Sequence, residues 1–127
     1  MSHSIRFVLF ALLISSVAAC AKAPTQEECK AGITRMMEIQ IDDMFAPGSA
    51  AFSAMGSFAN EADRAMAAQR LKAGIPSLLT ARFLAECVER VKRSDLECTM
   101  SAKTTDELIQ MCHWKPTTGP KGAALGF

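Results

Sequence analysis

The chain has 127 residues, 14 basic and 13 acidic side chains, five cysteines, no tyrosine and a single tryptophan, Trp114. Such balanced charge gives no support to nucleic-acid binding or to a basic membrane-surface patch, and the scarcity of aromatic rings argues against a sugar-binding or base-stacking surface. The length suits one small domain.

The N-terminus is organised as a leader. Residues 1–14, "MSHSIRFVLFALLI", carry Arg6 and then an apolar run, and small residues follow up to Cys20. A basic start, a short apolar centre and a small-residue region describe a secretory signal peptide. The run over 7–21 is about 15 residues, short of the roughly 20 that span a bilayer. The last four residues of this region, "VAAC" at 17–20, resemble the bacterial lipobox: an aliphatic residue, two small residues and a cysteine. The resemblance implies that Cys20 accepts a diacylglyceryl group on its thiol, becomes the new N-terminus and carries fatty-acyl chains of the palmitate class. Ala18 and Ala19 are small enough for the peptidase that cuts before the lipidated residue. Ala21 is not the aspartate that retains many such proteins in the inner membrane, so the outer membrane is favoured. One acyl chain binds a bilayer only marginally, whereas two or three anchor it stably.

Removal of residues 1–19 takes away Arg6 and no acid, leaving 13 basic and 13 acidic side chains on 108 residues. The domain organisation expected is a lipoprotein signal peptide at 1–19, a lipidated linker at 20–24, a helical domain at 25–114 and a flexible tail at 115–127.

Thr25 opens the first helix through "TQEE", in which the Thr25 hydroxyl and the Glu28 carboxylate can form a capping box. Cys29, Ile33, Met36, Met37, Gln40 and Met44 then recur at helical spacing and predict a buried face. "APGSA" at 46–50 breaks the helix. An Ala-rich segment over 52–72 is weak around Gly56. It predicts a helix from about Phe58, with Ala62, Ala65, Met66 and Gln69 on one side and an end at Gly74 and Pro76. Ser77 is expected to start the most amphipathic helix, with Leu79, Phe83, Leu84, Cys87, Val88 and Val91 inside. Glu86 with Arg90 and Glu89 with Arg93 have the spacing of exposed ion pairs. Two short helices follow, one capped by Ser94 and one by Thr104 or Thr105. Strand-like alternation is absent from the sequence. The fold class is all-α, a small bundle of four to five helices.

Four cysteines remain after the leader: Cys29, Cys87, Cys98 and Cys112. An even number in a small exported domain reads as two disulfides, because the compartment is oxidising and the core modest. Metal binding would need close pairs such as Cys-x-x-Cys, and none occurs. Of three possible pairings, a helical hairpin would bring Cys87 to Cys98, and an antiparallel bundle would bring Cys29 to Cys112. Cys87–Cys98 and Cys29–Cys112 are therefore expected.

The stretch "FLAECVERVKRSDLECTMSAKTTDELIQMC" resembles the C-terminal half of small, four-cysteine, all-helical lipoproteins of Gram-negative bacteria. The residues that carry the likeness are Cys87, Cys98, Ala102, Lys103, Thr104, Asp106, Leu108 and Cys112. The resemblance supports the fold and implies no activity.

Little in the chain points to catalysis. His113 is the one histidine after the leader, beside a chain end without helical pattern, and reads as a surface residue. Asp42 and Asp43 read as a solvated helix end, since paired carboxylates without a histidine or glycine loop do not form an active site. Thioethers bind Cu(I), and Met36, Met37 and Met44, or Met111 beside His113, are the candidates. Methionine also fills cores, and three of these lie on or beside the inward face.

The function expected is a non-enzymatic, membrane-anchored envelope lipoprotein, structural or protein-binding, with no cofactor and no resident metal. Its partners are the membrane, through the lipid on Cys20, and an envelope protein; nucleic acid is excluded. The alternative is a ligand- or metal-binding module using methionines and His113. A thiol-active protein is a third reading, which would need an unpaired cysteine.

Overall fold

A computed structural model describes residues 22–50, 60–116 and 125–126. The leader, Cys20 and the weak segment at 52–56 lie outside these residues. The described chain is a small all-α bundle of five helices stapled by two disulfides.

Helix α1 (Gln26–Met44) begins with both halves of the capping box in place. Glu28 N donates to Thr25 Oγ1 at 3.1 Å, and Thr25 N donates to Glu28 Oε2 at 2.7 Å. The expected stripe is only partly buried: Cys29, Ile33 and Met36 are inside with Ile39, while Met37, Gln40 and Met44 are half-buried. Beyond Phe45 the chain turns through Gly48, whose φ of +80° lies in the left-handed region that glycine enters without a Cβ clash.

Helix α2 (Glu61–Leu78) starts at Asn60, whose side chain accepts from Asp63 N at 2.9 Å. It corrects two expectations. Gly74 and Pro76 do not end it. Pro76 sits in the last turn, where its missing N–H removes one hydrogen bond, and the helix stops two residues later with Leu79 N on the Pro76 carbonyl. Ser77 belongs to this turn and donates its hydroxyl to Gly74 O at 2.6 Å. The inward face is Ala68 and Ile75, whereas Ala62, Ala65, Met66 and Gln69 are exposed. Alanines lie on every side of this helix, so the sequence offers little contrast between faces.

Helix α3 (Ala81–Arg90) is capped by Thr80 rather than Ser77 and turns Cys87 fully inward. Leu79, Phe83, Leu84, Val88 and Val91 pack around it as the stripe predicts. Helix α4 (Arg93–Ser101) starts after Lys92 without a side-chain cap, and Ser94 is exposed inside the first turn. Helix α5 (Thr105–Gln110) is capped by Thr104, whose hydroxyl accepts from Glu107 N at 3.2 Å. A residue with positive φ, His113 at 61°, then turns the chain so that Trp114 folds back into the core. The tail is not wholly irregular: Lys115 and Pro116 pair antiparallel with Gly126 and Leu125.

Helices α2 to α5 each pack mainly against α1, which forms the centre of the bundle. It lies close against α4 at Gly32, where a Cβ would lie 2.6 Å from Leu96 Cδ2. Polar ties reinforce this arrangement. Arg35 Nη2 donates to Ala102 O at 3.1 Å, and Asp43 Oδ2 accepts from Thr105 N at 2.6 Å.

This arrangement also corrects the disulfides. The bonds are Cys29–Cys87, with Cα atoms 6.1 Å apart, and Cys98–Cys112, at 5.4 Å. Cys87–Cys98 would need α3 and α4 to lie against each other as a hairpin, but each lies against α1 instead. Cys87 therefore meets the first turns of α1, and Cys98 meets the turn after α5.

Candidate functional site

The described chain enters the bundle beside the junction of α3 and α4. Pro24 is buried there, and Arg93 Nη2 donates to Ala23 O at 3.4 Å. The same guanidinium holds Glu28: Nη2 lies 2.8 Å and Nε 3.1 Å from Oε2. Glu28 is held below the usual carboxylate range, first by the Thr25 backbone N–H and then by Arg93. The entering segment, the start of α1 and the start of α4 are thus joined at one carboxylate and one guanidinium.

An open groove of about 520 Å³ runs along this junction. Pro24, Val88 and Val91 give it apolar surface, and Lys22, Arg90 and Lys92 stand on its rim with Glu89. Lys22, Arg90 and Lys92 are exposed and form no ion pair among the described residues. A second groove, of about 310 Å³, shares Arg90, Val91 and Lys92 and reaches His113, Trp114 and Lys115. Charge that balances over the whole chain is therefore unevenly placed. The stretch "VERVKR" at 88–93 carries this charge in the sequence, but helical spacing pairs its charges with neighbours that they do not meet. Glu86 pairs with Arg82 at 3.4 Å instead of Arg90, and Arg93 pairs with Glu28 instead of Glu89.

The other candidate residues fall into different settings. Cys20 is outside the described residues, two positions before Lys22, a span of at most about 7 Å. His113 is exposed, with Nδ1 3.2 Å from Asp95 Oδ1. Asp42 and Asp43 tie helices together, Asp42 by an ion pair to Lys72 on α2 and Asp43 by its bond to the α5 terminus. Met36 is 2 % exposed in the core, whereas Met111 is 65 % exposed, so these two thioethers occupy different environments. Among the described residues no three or more His, Cys, Asp or Glu side chains are grouped to hold a metal ion. All four cysteines described are in disulfides, which leaves the thiol-active reading no thiol among them.

Among the described residues no helix is long and apolar enough to cross a membrane. Comparison with protein-family models, curated proteins and solved structures gives no match.

Proposed function

We propose that this chain is a non-enzymatic lipoprotein of the bacterial envelope, anchored through acyl chains on Cys20, with its helical domain in the periplasm or at the cell surface. The observation that carries the reading is "VAAC" at the end of a short apolar leader with a basic start. Ala21 favours the outer membrane over the inner. The paired cysteines suit an oxidising compartment. The domain acts as a structural or protein-binding accessory. In support, Leu71 and Leu78 lie seven residues apart on one side of α2 and are both exposed, an apolar strip suited to a partner's helix.

The test is an intact-mass spectrum of the protein extracted from membranes, followed by identification of what co-purifies with it. A chain starting at Cys20 with added acyl mass supports the anchor. A chain starting elsewhere, or a Cys20 without acyl mass, overturns it. Loss of a stoichiometric co-purifying protein on Leu71→Glu or Leu78→Glu supports the accessory role, and an unchanged complex overturns the assignment of that strip.

A further inference from the structure

We propose that the basic groove at the α3–α4 junction seats the anionic headgroups of the membrane in which the protein is anchored; this rests on the reading of Cys20 as the lipidated residue. Three observations combine. The groove begins at Lys22, within about 7 Å of chain from Cys20, so an anchor at Cys20 holds the groove at the bilayer surface. Its rim is formed by the exposed side chains of Lys22, Arg90 and Lys92, against the one acid Glu89. Pro24, Val88 and Val91 supply apolar surface between these cations, suited to the glycerol and upper acyl region beneath a phosphate.

The described start of the chain is held against the bundle. Pro24 is buried, Ala23 is held by Arg93, and Arg93 is itself held by Glu28. Ala23 and Pro24, three and four residues after Cys20, therefore have a set relation to the α3–α4 turn. Screening in physiological salt extends over about 8 Å. An anchor at Cys20 keeps Lys22 within that distance of lipid phosphates, with the other rim cations across the same groove. The second groove, in which Asp95 lies against His113, adds Lys115 beside Arg90 and Lys92. The occupant is an anionic phospholipid headgroup, recognised by charge and by the neighbouring apolar surface and not by base, sugar or peptide chemistry.

The experiment uses the full chain extracted from membranes and placed in nanodiscs of phosphatidylcholine alone or mixed with phosphatidylglycerol. Amine-reactive labelling is followed residue by residue, with exposed Lys30 and Lys103, outside the groove, as internal references. Lys22 and Lys92 are expected to label roughly fivefold more slowly in the anionic discs, the factor that one cation's attraction to an anionic surface implies. The protection should vanish at high salt, and Arg90→Glu should reduce it at Lys22. Equal labelling of Lys22 and Lys92 in both discs, or equal protection of Lys30 and Lys103, overturns the proposal. Intact mass of the same sample reads the anchor separately. A lipidated chain without protection removes the groove and leaves the anchor. A chain without lipid, mixed with the same discs and still protected at Lys22 and Lys92, keeps the groove and removes the anchor.

Discussion

A single oxygen of Glu28 accepts from three donors: the Thr25 backbone N–H at 2.7 Å, and Nη2 and Nε of Arg93 at 2.8 and 3.1 Å. Residues 65 apart are thereby joined at the place where the chain enters the bundle. The ionised carboxylate is the form that all three donors favour.

Acid should loosen this junction. Glu28 titrates below the ordinary value of 4.5, through the Thr25 N–H first and Arg93 second. A depressed carboxylate binds its proton less readily folded than unfolded. Its stabilising effect is therefore fully present above the unfolded value and is lost as pH falls through the lowered folded value. Thermal melts from neutral to strongly acid pH should show a fall in Tm below about pH 4.5 that is smaller in Glu28→Gln. At neutral pH that variant should already melt lower than the parent. Parallel curves across the acid range would show that other carboxylates carry the acid sensitivity.

The disulfides can be read by non-reducing tryptic mapping. Cleavage after Lys22, Lys30, Arg82, Arg90, Arg93 and Lys103 separates all four cysteines onto different peptides. Peptide 23–30 should be found bonded to 83–90, and 94–103 to the peptide that follows it. A bond between 83–90 and 94–103 would restore the hairpin pairing. Chain-entropy arguments give about 4 kcal/mol for the 58-residue loop and about 3 kcal/mol for the 14-residue loop. Replacing Cys29 and Cys87 together by serine should thus lower stability more than replacing Cys98 and Cys112, as measured by denaturant midpoints.

Gly32 sets how closely α1 and α4 approach. An added methyl would meet Leu96 at 2.6 Å, and Leu96 is itself 2 % exposed, with little room to move. Overpacking costs about 1–3 kcal/mol, against roughly 1 kcal/mol gained in helix propensity when glycine becomes alanine. Gly32→Ala should therefore destabilise by about 1 kcal/mol. Leu96→Ala alone should cost about 2–5 kcal/mol. In the double variant the clash with Cδ2 is gone, so its cost should fall below the sum of the two. Strict additivity in urea melts would mean that these side chains do not meet.

What the sequence made legible follows from whether the deciding interaction is local. The capping box of Thr25 and Glu28 spans only four residues, and the inward stripe of α3 needs a strong contrast between apolar and charged side chains; both are present in the structure. The inward face of α2 depends on which side meets α1, and alanines on every side hide it. The disulfide pairing depends on topology: once α1 is the centre, Cys87 faces α1 and Cys98 faces the end of α5. The groove was obscured for a related reason. Arg93 has helical spacing from Glu89, but the chain turns at residues 91–92, and Arg93 opens a new helix facing Glu28.

Trp114 gives a direct probe of how the last turn closes the core. Its indole Nε1–H donates to the Thr99 hydroxyl at 2.6 Å, and that hydroxyl donates in turn to Asp95 O at 2.7 Å. Thr99 is fully buried and Trp114 is 5 % exposed, so little water reaches the pair. Thr99→Val keeps the shape of the side chain but removes the acceptor. Leaving a buried donor without its partner costs about 1–3 kcal/mol, and Thr99→Ser, which keeps the hydroxyl, should cost less. Trp114 is the single tryptophan, so its emission reports this site alone. Thr99→Val should lower the urea midpoint, and its emission should move to the red if the ring swings outward to hydrate its N–H. An unchanged midpoint and spectrum would mean that the turn is held by the Cys98–Cys112 bond and the return of Trp114 N to Leu108 O, without help from the hydroxyl.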